Sequence, residues 1–539
     1  MKKFNLVLVA LILLVSMFAQ EEFIDIEPET VDFGLTYNSE TYQEEIHITN
    51  NSEVELNLNF QTYNPSFSFE TDNLNLMVGE TYILGINFAG NQNIIYKDIL
   101  VISATDNSLV NLIELRAENR FSDDYYSETF NLFDNQLKDA LLELIDDHNS
   151  LGYNSAKELM FGYIDNFDDQ VQGVYTGEWY NIPEGEMPNQ NVFNCEHTWP
   201  QSYGAEGVAK SDLHHLFPTF ATVNSTRGNL PFGIVQEANW ENGGSKRGYD
   251  ENNTEVFEPR DQHKGNCARA MFYFSLRYDN PYDFLDYQES TLREWSEFDL
   301  PDELEKNRNE EIFDEQYNRN PFVDHPGFLE RIYSIHSNEN EPDACLFATY
   351  PNQLDYQEVP VDSLETLYIA IANIGNCFLM VEDISISSDY FYIEDEITQI
   401  SPNSFEEIPV YFQASTVNTF NSTIEISTNG GNVFIPMTAT TSETATDEVF
   451  ETNDTTVSMY PNPVSGVKNI NFDIKGKSKR NFLISIYNIK GKRILTDEFN
   501  SSNTNKSYEL SIDNMENGVY FYRIKSEQFT KHDKFIIIK

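Results

Sequence analysis

Between Asn194 and Gly233 the chain reads NCEHTWPQSYGAEGVAKSDLHHLFPTFATVNSTRGNLPFG, and here the side chains able to do chemistry are concentrated. The stretch holds Glu196-His197, Asp212-Leu213-His214-His215, Asn224 and Arg227, and three of the chain's 9 histidines. An imidazole can take a proton from water near neutral pH. Carboxylate and amide oxygens suit a hard cation such as Mg²⁺, which keeps several waters and takes one or two protein ligands beside substrate phosphate. Together these residue types describe metal-assisted hydrolysis of a phosphodiester, with His197 activating the attacking water. His214 and His215 read instead as packed or hydrogen-bonded histidines, the commoner fate of that side chain.

The elements that carry these residues are constrained by period. Neighbours on a strand face opposite ways, so Glu196 and His197 cannot both address one ion from the middle of a flat strand. The strand must end or twist there, and Pro200 is consistent with an early stop. Asn224 and Arg227, three apart, would share one face of a following helix. Apolar residues recur at helical spacing in 129–148 (Leu132, Phe133, Leu137, Leu141, Leu142, Ile145) and in 261–278 (Ala268, Met271, Phe272, Leu276). Both stripes read as core that supports the site.

On the residues quoted, the central stretch resembles the endonuclease I family of secreted, non-specific nucleases with a ββα-metal active site. The pieces that carry the resemblance are Cys195 to Ser202 (CEHTWPQS), Ser211 to Pro218 (SDLHHLFP) and Val223 to Gly233 (VNSTRGNLPFG). Glu258-Pro259-Arg260-Asp261, Ala268-Arg269-Ala270, Arg277-Tyr278 and Asn318 to Pro326 (NRNPFVDHP) are also similar, so the likeness spans about 121 to 340. It implies His197 as general base, Glu196 and Asn224 as protein ligands of one divalent ion, and a phosphate-binding arginine. Arg227, Arg269 and Arg319 are all candidates for that arginine, each with an equal claim to a structural ion pair. The ion implied is Mg²⁺, with Mn²⁺ or Ca²⁺ equally compatible with oxygen ligands.

At 539 residues the chain is too long for one core. Lys2-Lys3, the apolar run Leu6 to Phe18 and Ala19 read as a secretory signal peptide, residues 1–19. Residues 20–120 alternate in short strands with Asn, Asp and Gly between them, the pattern of an immunoglobulin-like β-sandwich. That module recurs: Phe67, Phe88 and Ser103 are matched by Phe391, Phe412 and Ser427, each 324 residues later, which makes 341–440 a second sandwich. The expected fold is therefore multi-domain, an α+β catalytic domain at 121–340 flanked by two sandwiches. Residues 441–456, rich in Thr, Glu and Asp, form a linker. Residues 457–539 invert the charge, with 14 Lys and Arg against 8 acids, and read as a small β domain. Tyr460-Pro461-Asn462-Pro463, Gly518 to Ile524 and the closing strand Lys534 to Lys539 resemble the C-terminal sorting domain of the type IX secretion system of Bacteroidetes. The resemblance implies passage through periplasm and outer membrane by that machinery, to release or cell-surface attachment.

Net charge and cysteines bound the remaining choices. A nuclease must meet a polyanion, yet the formal charge is −54, and 121–340 carries 42 acids against 15 basic residues. Residues 191–278 are close to neutral, with 10 acids and 8 basic residues. Divalent ions are then expected to assist binding as well as chemistry, and salt to harm the enzyme less than it harms a basic nuclease. The four cysteines allow three connectivities; the economical one is Cys195–Cys267 and Cys345–Cys377. Export fits disulfide bonding. Nothing resembles a base-reading helix or finger, so DNA cleavage with little sequence preference is expected, RNA being a further substrate left open, and the protein acting as a monomer. A rival from another class is an extracellular adhesion protein built on an inactive nuclease scaffold. Another keeps the hydrolase and substitutes a small phosphodiester for nucleic acid.

Overall fold

The computed structural model describes residues 24–104, 110–278, 284–394, 397–442 and 455–538. Within the last of these segments 466–467, 477–479, 489–492, 502–504, 513–514, 516 and 527–528 are left out. The expected signal peptide and most of the expected linker lie outside the described residues. Among those described, no helix is long and apolar enough to cross a membrane.

The recurrence in the sequence becomes a recurrence in hydrogen bonding. Counting strands along the chain, the segment from Ile24 to Arg120 and the segment from Phe347 to Ser442 have the same pairing. A four-stranded sheet runs first–third–seventh–fifth, and a five-stranded sheet runs second–ninth–eighth–fourth–sixth. In each, the apolar residues that alternate along both sheets enter a single core, as period-two patterning requires. Phe67 pairs with Phe88 and Phe391 with Phe412 across equivalent strands, ring centroids 5.1 and 4.7 Å apart. The second and ninth strands run parallel in both and share one bulge, at Asp32/Leu35 and Asp355/Glu358. A buried asparagine ties two carbonyls in each: Asn50 Nδ2 donates to Val54 and Leu76, Asn373 Nδ2 to Cys377 and Ile400.

These two segments also touch. Ile99, Val101 and Leu112 of the first form a small apolar cluster with Ala370 and Ala372 of the second. The hydroxyls of Tyr63 and Tyr350 share a hydrogen bond, and Ser404 Oγ donates to Glu114 Oε1 at 2.7 Å.

Helices dominate between them: α1 (Asp134–Ile145), α2 (Tyr153–Leu159), α3 (Ala221–Arg227), α4 (Lys264–Arg277), α5 (Glu289–Phe298) and α6 (Glu303–Gln316). The first apolar stripe folds as α1, with Leu137, Leu141 and Ile145 buried; Phe133 precedes it and is largely exposed. The second folds as α4, which is buried on nearly every face from Cys267 to Phe274. A helix without a polar face belongs at the centre of a core, and α4 packs with α1, Trp199, Phe232, Phe322 and Phe328.

A buried arginine helps fasten the middle region to the first module, beside contacts such as Gln92 Nε2 donating to Glu330 Oε2 and Ile95 N–H to Asn131 Oδ1. Arg331, 4% exposed, donates to Asn93 Oδ1 (2.5 Å), to Thr129 O (2.6 Å) and to Leu132 O (2.6 Å). Asn93 in turn donates to Tyr126 O and Thr129 Oγ1. Beyond Thr455 the chain forms a three-stranded and a five-stranded sheet around a separate core, and its last two strands pair from Gly518↔Ile537 to Ser526↔Phe529.

Candidate active site

Two antiparallel strands and a helix present the chemistry. Strand β1 (Phe193–His197) pairs with β2 (Leu216–Phe220), Glu196 opposite Phe217 and His197 opposite Leu216, and β2 leads directly into α3. Strand β1 ends at His197, so its last two side chains leave it on opposite faces at its very end. The Thr198 N–H donates to His215 O at 3.0 Å, and Trp199 is buried against Phe274 with ring centroids 4.7 Å apart. Those contacts anchor the turn after the site.

On one face stand Asn194, Glu196, Asn224 and Arg227. Glu196 Oε1 accepts from Tyr175 Oη at 3.0 Å and lies 3.4 Å from Arg227 Nη1. Asn224 Nδ2 donates to Asn194 Oδ1 (2.9 Å) and Cys195 O (3.0 Å), so both its donors are used by the strand and Oδ1 is the acceptor of that amide. Both ligands expected from the sequence thus offer oxygen from one side of β1. Burial pushes the Glu196 carboxyl up to about 7, against the opposing effects of the Arg227 charge and the Tyr175 hydrogen bond. Burial thus outweighs the one guanidinium beside the carboxyl, and a second cation there would favour the ionised form. The donor set is a carboxylate and an amide oxygen, which fits a hard divalent ion completed by water and phosphate. Among the described residues no group of three or more His, Cys, Asp and Glu side chains is arranged to hold a metal by itself.

On the other face, His197 is held by two hydrogen bonds. Its Nε2 lies 3.2 Å from Lys210 O, a pure acceptor, so Nε2 carries the proton and Nδ1 the lone pair. Gln201 Nε2 donates to that Nδ1 at 3.3 Å. Burial, reinforced by the charges of His215, Lys210 and Arg227, lowers the imidazole to about 3, so it is neutral at working pH. A neutral ring with a fixed tautomer is the form a general base needs.

The three arginine candidates differ sharply. Arg227, 1% exposed, clamps the end of β1 and the turn after it through His197 O (3.4 Å) and Thr198 O (2.7 Å), and reaches Gly228 O (3.1 Å) just past its own helix, besides its contact with Glu196. Arg269 lies in the middle of buried α4 and pairs with Glu305 of α6 at 2.9 and 2.5 Å, with Asp299 O at 2.7 Å. Arg319 pairs with Asp324 at 2.6 Å and Glu310 at 2.7 Å. Arg227 alone of the three touches Glu196.

His214 and His215 are buried and donate to main-chain carbonyls, Asn318 O at 3.1 Å and Ala209 O at 2.7 Å. Between them and α4, Asp212 Oδ2 accepts from Tyr273 and Tyr278 (2.7 Å each) and Oδ1 from Gln316 (3.0 Å). The SDLHH block is thus a structural brace that carries the Lys210 carbonyl to His197. Tyr175, Gln201 and Lys210 were not singled out by the sequence. Their contacts with the site come from outside the strand that carries it, and a main-chain acceptor leaves no signature in residue type.

The cysteines correct one expectation. Cys345 and Cys377 form a disulfide, but Cys195 and Cys267 are both free and buried. The alternation of β1 explains it: Glu196 faces the Cys267 side, so Cys195 faces away, into a cluster with Ala156, Met160 and Phe193.

This site and the attached sorting tail define an exported phosphodiester hydrolase. The family model described as Endonuclease I matches residues 133–327, that described as Secretion system C-terminal sorting domain matches 458–539, and that described as HYDIN/CFA65/VesB-like, Ig-like domain matches 348–440. The chain is 31% identical over 256 residues, 42% of its length and 84% of the relative's, to an extracellular ribonuclease of Bacillus subtilis (strain 168). It is also 31% identical over 236 residues, 39% and 78% of the two chains, to an extracellular ribonuclease of Bacillus amyloliquefaciens. Among solved structures, a protein of unknown function from Porphyromonas gingivalis W83 covers 78% of this chain and 99% of its own at 7% identity, with a TM-score of 0.18, too low to carry an argument. The chain belongs to the endonuclease I family: it is a nuclease, carries a type IX sorting tail, and is a secreted or cell-surface protein.

Proposed function

We propose that this protein is a metal-dependent endonuclease that hydrolyses DNA and RNA with little sequence preference, acting outside the cell as a monomer. The catalytic domain on this reading is a ββα-metal fold at 121–340, between immunoglobulin-like sandwiches at 20–120 and 341–440, with the sorting domain at 457–539. RNA is included because both named relatives are extracellular ribonucleases.

The carrying observation is the division of labour at the end of β1. Glu196 and Asn224 offer oxygens on one face, and on the other His197 presents an unprotonated Nδ1 because Nε2–H is tied to Lys210 O. His197 Nδ1 accepts the proton of the attacking water, which takes the place of the Gln201 amide on that lone pair. Glu196 and Asn224 would hold Mg²⁺ or a similar ion, which when bound supplies charge to the phosphoryl and leaving oxygens. Arg227 positions Glu196 and the main chain of His197 and Thr198, while Arg269 and Arg319 act through the ion pairs that hold α4 and α6. The test is plasmid and RNA digestion by the protein without signal and tail. Cleavage should stop with EDTA, return with Mg²⁺, and be absent in His197→Ala, which keeps its metal binding. Full activity in His197→Ala would refute the assignment.

A further inference from the structure

None of the three arginines expected to meet phosphate presents a free guanidinium, yet the face of His197 is not without positive charge. Tyr153, the first residue of α2, packs against His197 with ring centroids 5.4 Å apart. Two ammonium groups lie over that tyrosine ring: Lys157 Nζ at 4.6 Å and Lys210 Nζ at 4.9 Å from its centroid. They come from different elements. Lys157 follows Tyr153 by four residues on the same face of α2, and Lys210 belongs to the turn whose carbonyl holds His197.

The region holds 42 acids and 15 basic residues, and among the described residues nine of those 15 pair with a carboxylate. Arg269, Arg277, Arg308 and Arg319 are among them. Lys157 and Lys210 form no ion pair among the described residues, and both side chains are half-buried. Two like charges held near one ring repel each other, and the ring face offsets this only in part. What balances such an arrangement is anionic charge near each ammonium group, and each offers three donors without fixed geometry, as suits phosphate oxygens met at varied angles.

We propose that Lys157 and Lys210 form a backbone subsite, their ammonium groups holding phosphates of the nucleic-acid strand beside the bond that His197 addresses. The proposal rests on the nuclease reading for the identity of the polyanion. The lysines bind without chemistry; the Tyr153 ring holds them in place.

Binding and cleavage separate the two readings. Full-length His197→Ala protein in Mg²⁺ is titrated onto a fluorescent single-stranded oligodeoxynucleotide by anisotropy across a salt series, with and without K157Q/K210Q. Removing both lysines should weaken binding about tenfold at low salt and reduce the slope of log affinity against log salt by roughly 0.7 for each phosphate no longer held. In the His197-containing enzyme, K157Q, which leaves the Lys210 contacts with His197 in place, should raise KM with kcat within about twofold, and K157R should restore KM. Unchanged affinity and slope in K157Q/K210Q would overturn the subsite while leaving the nuclease reading intact. Lysine-dependent binding by a wild-type protein that cleaves nothing would do the reverse. Should the double variant melt early by circular dichroism, K157Q alone is read, with half the change in slope expected.

Discussion

At the scale of single residues, two buried arginines with similar surroundings are expected to fail in different ways. Removing Arg227 leaves Glu196 buried without its cation and releases the His197 and Thr198 carbonyls at the end of β1 and the Gly228 carbonyl after α3. Removing Arg269 strands Glu305 in the core between α4 and α6. Each loss should cost about 3–5 kcal/mol of stability, because it leaves an uncompensated charge. Only Arg227→Ala should also lower kcat of the protein that remains folded, by displacing His197 and Glu196; Arg269→Ala should keep kcat per folded molecule. Urea melts together with active-site-normalised kinetics check both. The thiols give a second residue-scale prediction. Alkylation without reductant should add no label to the native protein, two labels after unfolding, and four after unfolding and reduction, counted by intact mass. Which arginine contacts Glu196 was not legible in the sequence, since the deciding contacts join residues 31 positions apart for Arg227 and Glu196 and 36 for Arg269 and Glu305. Residue type shows that a charge needs a partner; only the fold supplies it.

At the scale of elements, what repeats locally could be read and what closes over distance could not. The periods of α1 and α4 follow from apolar spacing, and the 324-residue recurrence marks the Phe67–Phe88 and Phe391–Phe412 pairs that sit at equivalent strand positions. The strand carrying Glu196-His197 stops where alternation said it must. Alternation also held the answer for Cys195, since a residue next to Glu196 faces the other way; pairing by economy of sequence ignored it. Absent from the sequence was the joint between the first module and the middle region, which includes the contact of Arg331 with Asn93, 238 residues apart. Burial lowers the Arg331 guanidinium to about 10, and its partners are carbonyl and amide oxygens with no carboxylate among them. Its charge is therefore held by dipoles alone. Arg331→Ala should destabilise the protein by about 3 kcal/mol, the cost of several unmade hydrogen bonds to a charged group and of the missing stack on Phe328. The change should pull apart the unfolding of the first module and the middle region in calorimetry, while Arg116→Ala, on the surface of the first module, should leave their unfolding as it was.

At the scale of the whole molecule the governing quantity is charge. A protein at −54 should repel its substrate, yet its tail carries an excess of basic residues and the chain near the site is close to neutral, so the repulsion comes from acids placed elsewhere. Screening by salt acts on both sides of that balance: it weakens the attraction of Lys157 and Lys210 for phosphate and relieves the repulsion from the distant acids. With two phosphates held, affinity should fall about tenfold or less between 50 and 200 mM salt, where a protein holding 6–10 loses roughly 10³–10⁵. Relief of the acidic repulsion should flatten the dependence further. On the proposed reading Mg²⁺ would enter twice, at Glu196 and Asn224 and as a counter-ion between two acidic partners, so raising it at fixed ionic strength should lower KM after kcat has already saturated. Initial rates over a grid of NaCl and Mg²⁺ concentrations measure this directly. A steep salt slope would mean that more cations meet the substrate than the two lysines over Tyr153, and one KM-saturating Mg²⁺ concentration shared with kcat would mean that the acids outside the site have no part in binding.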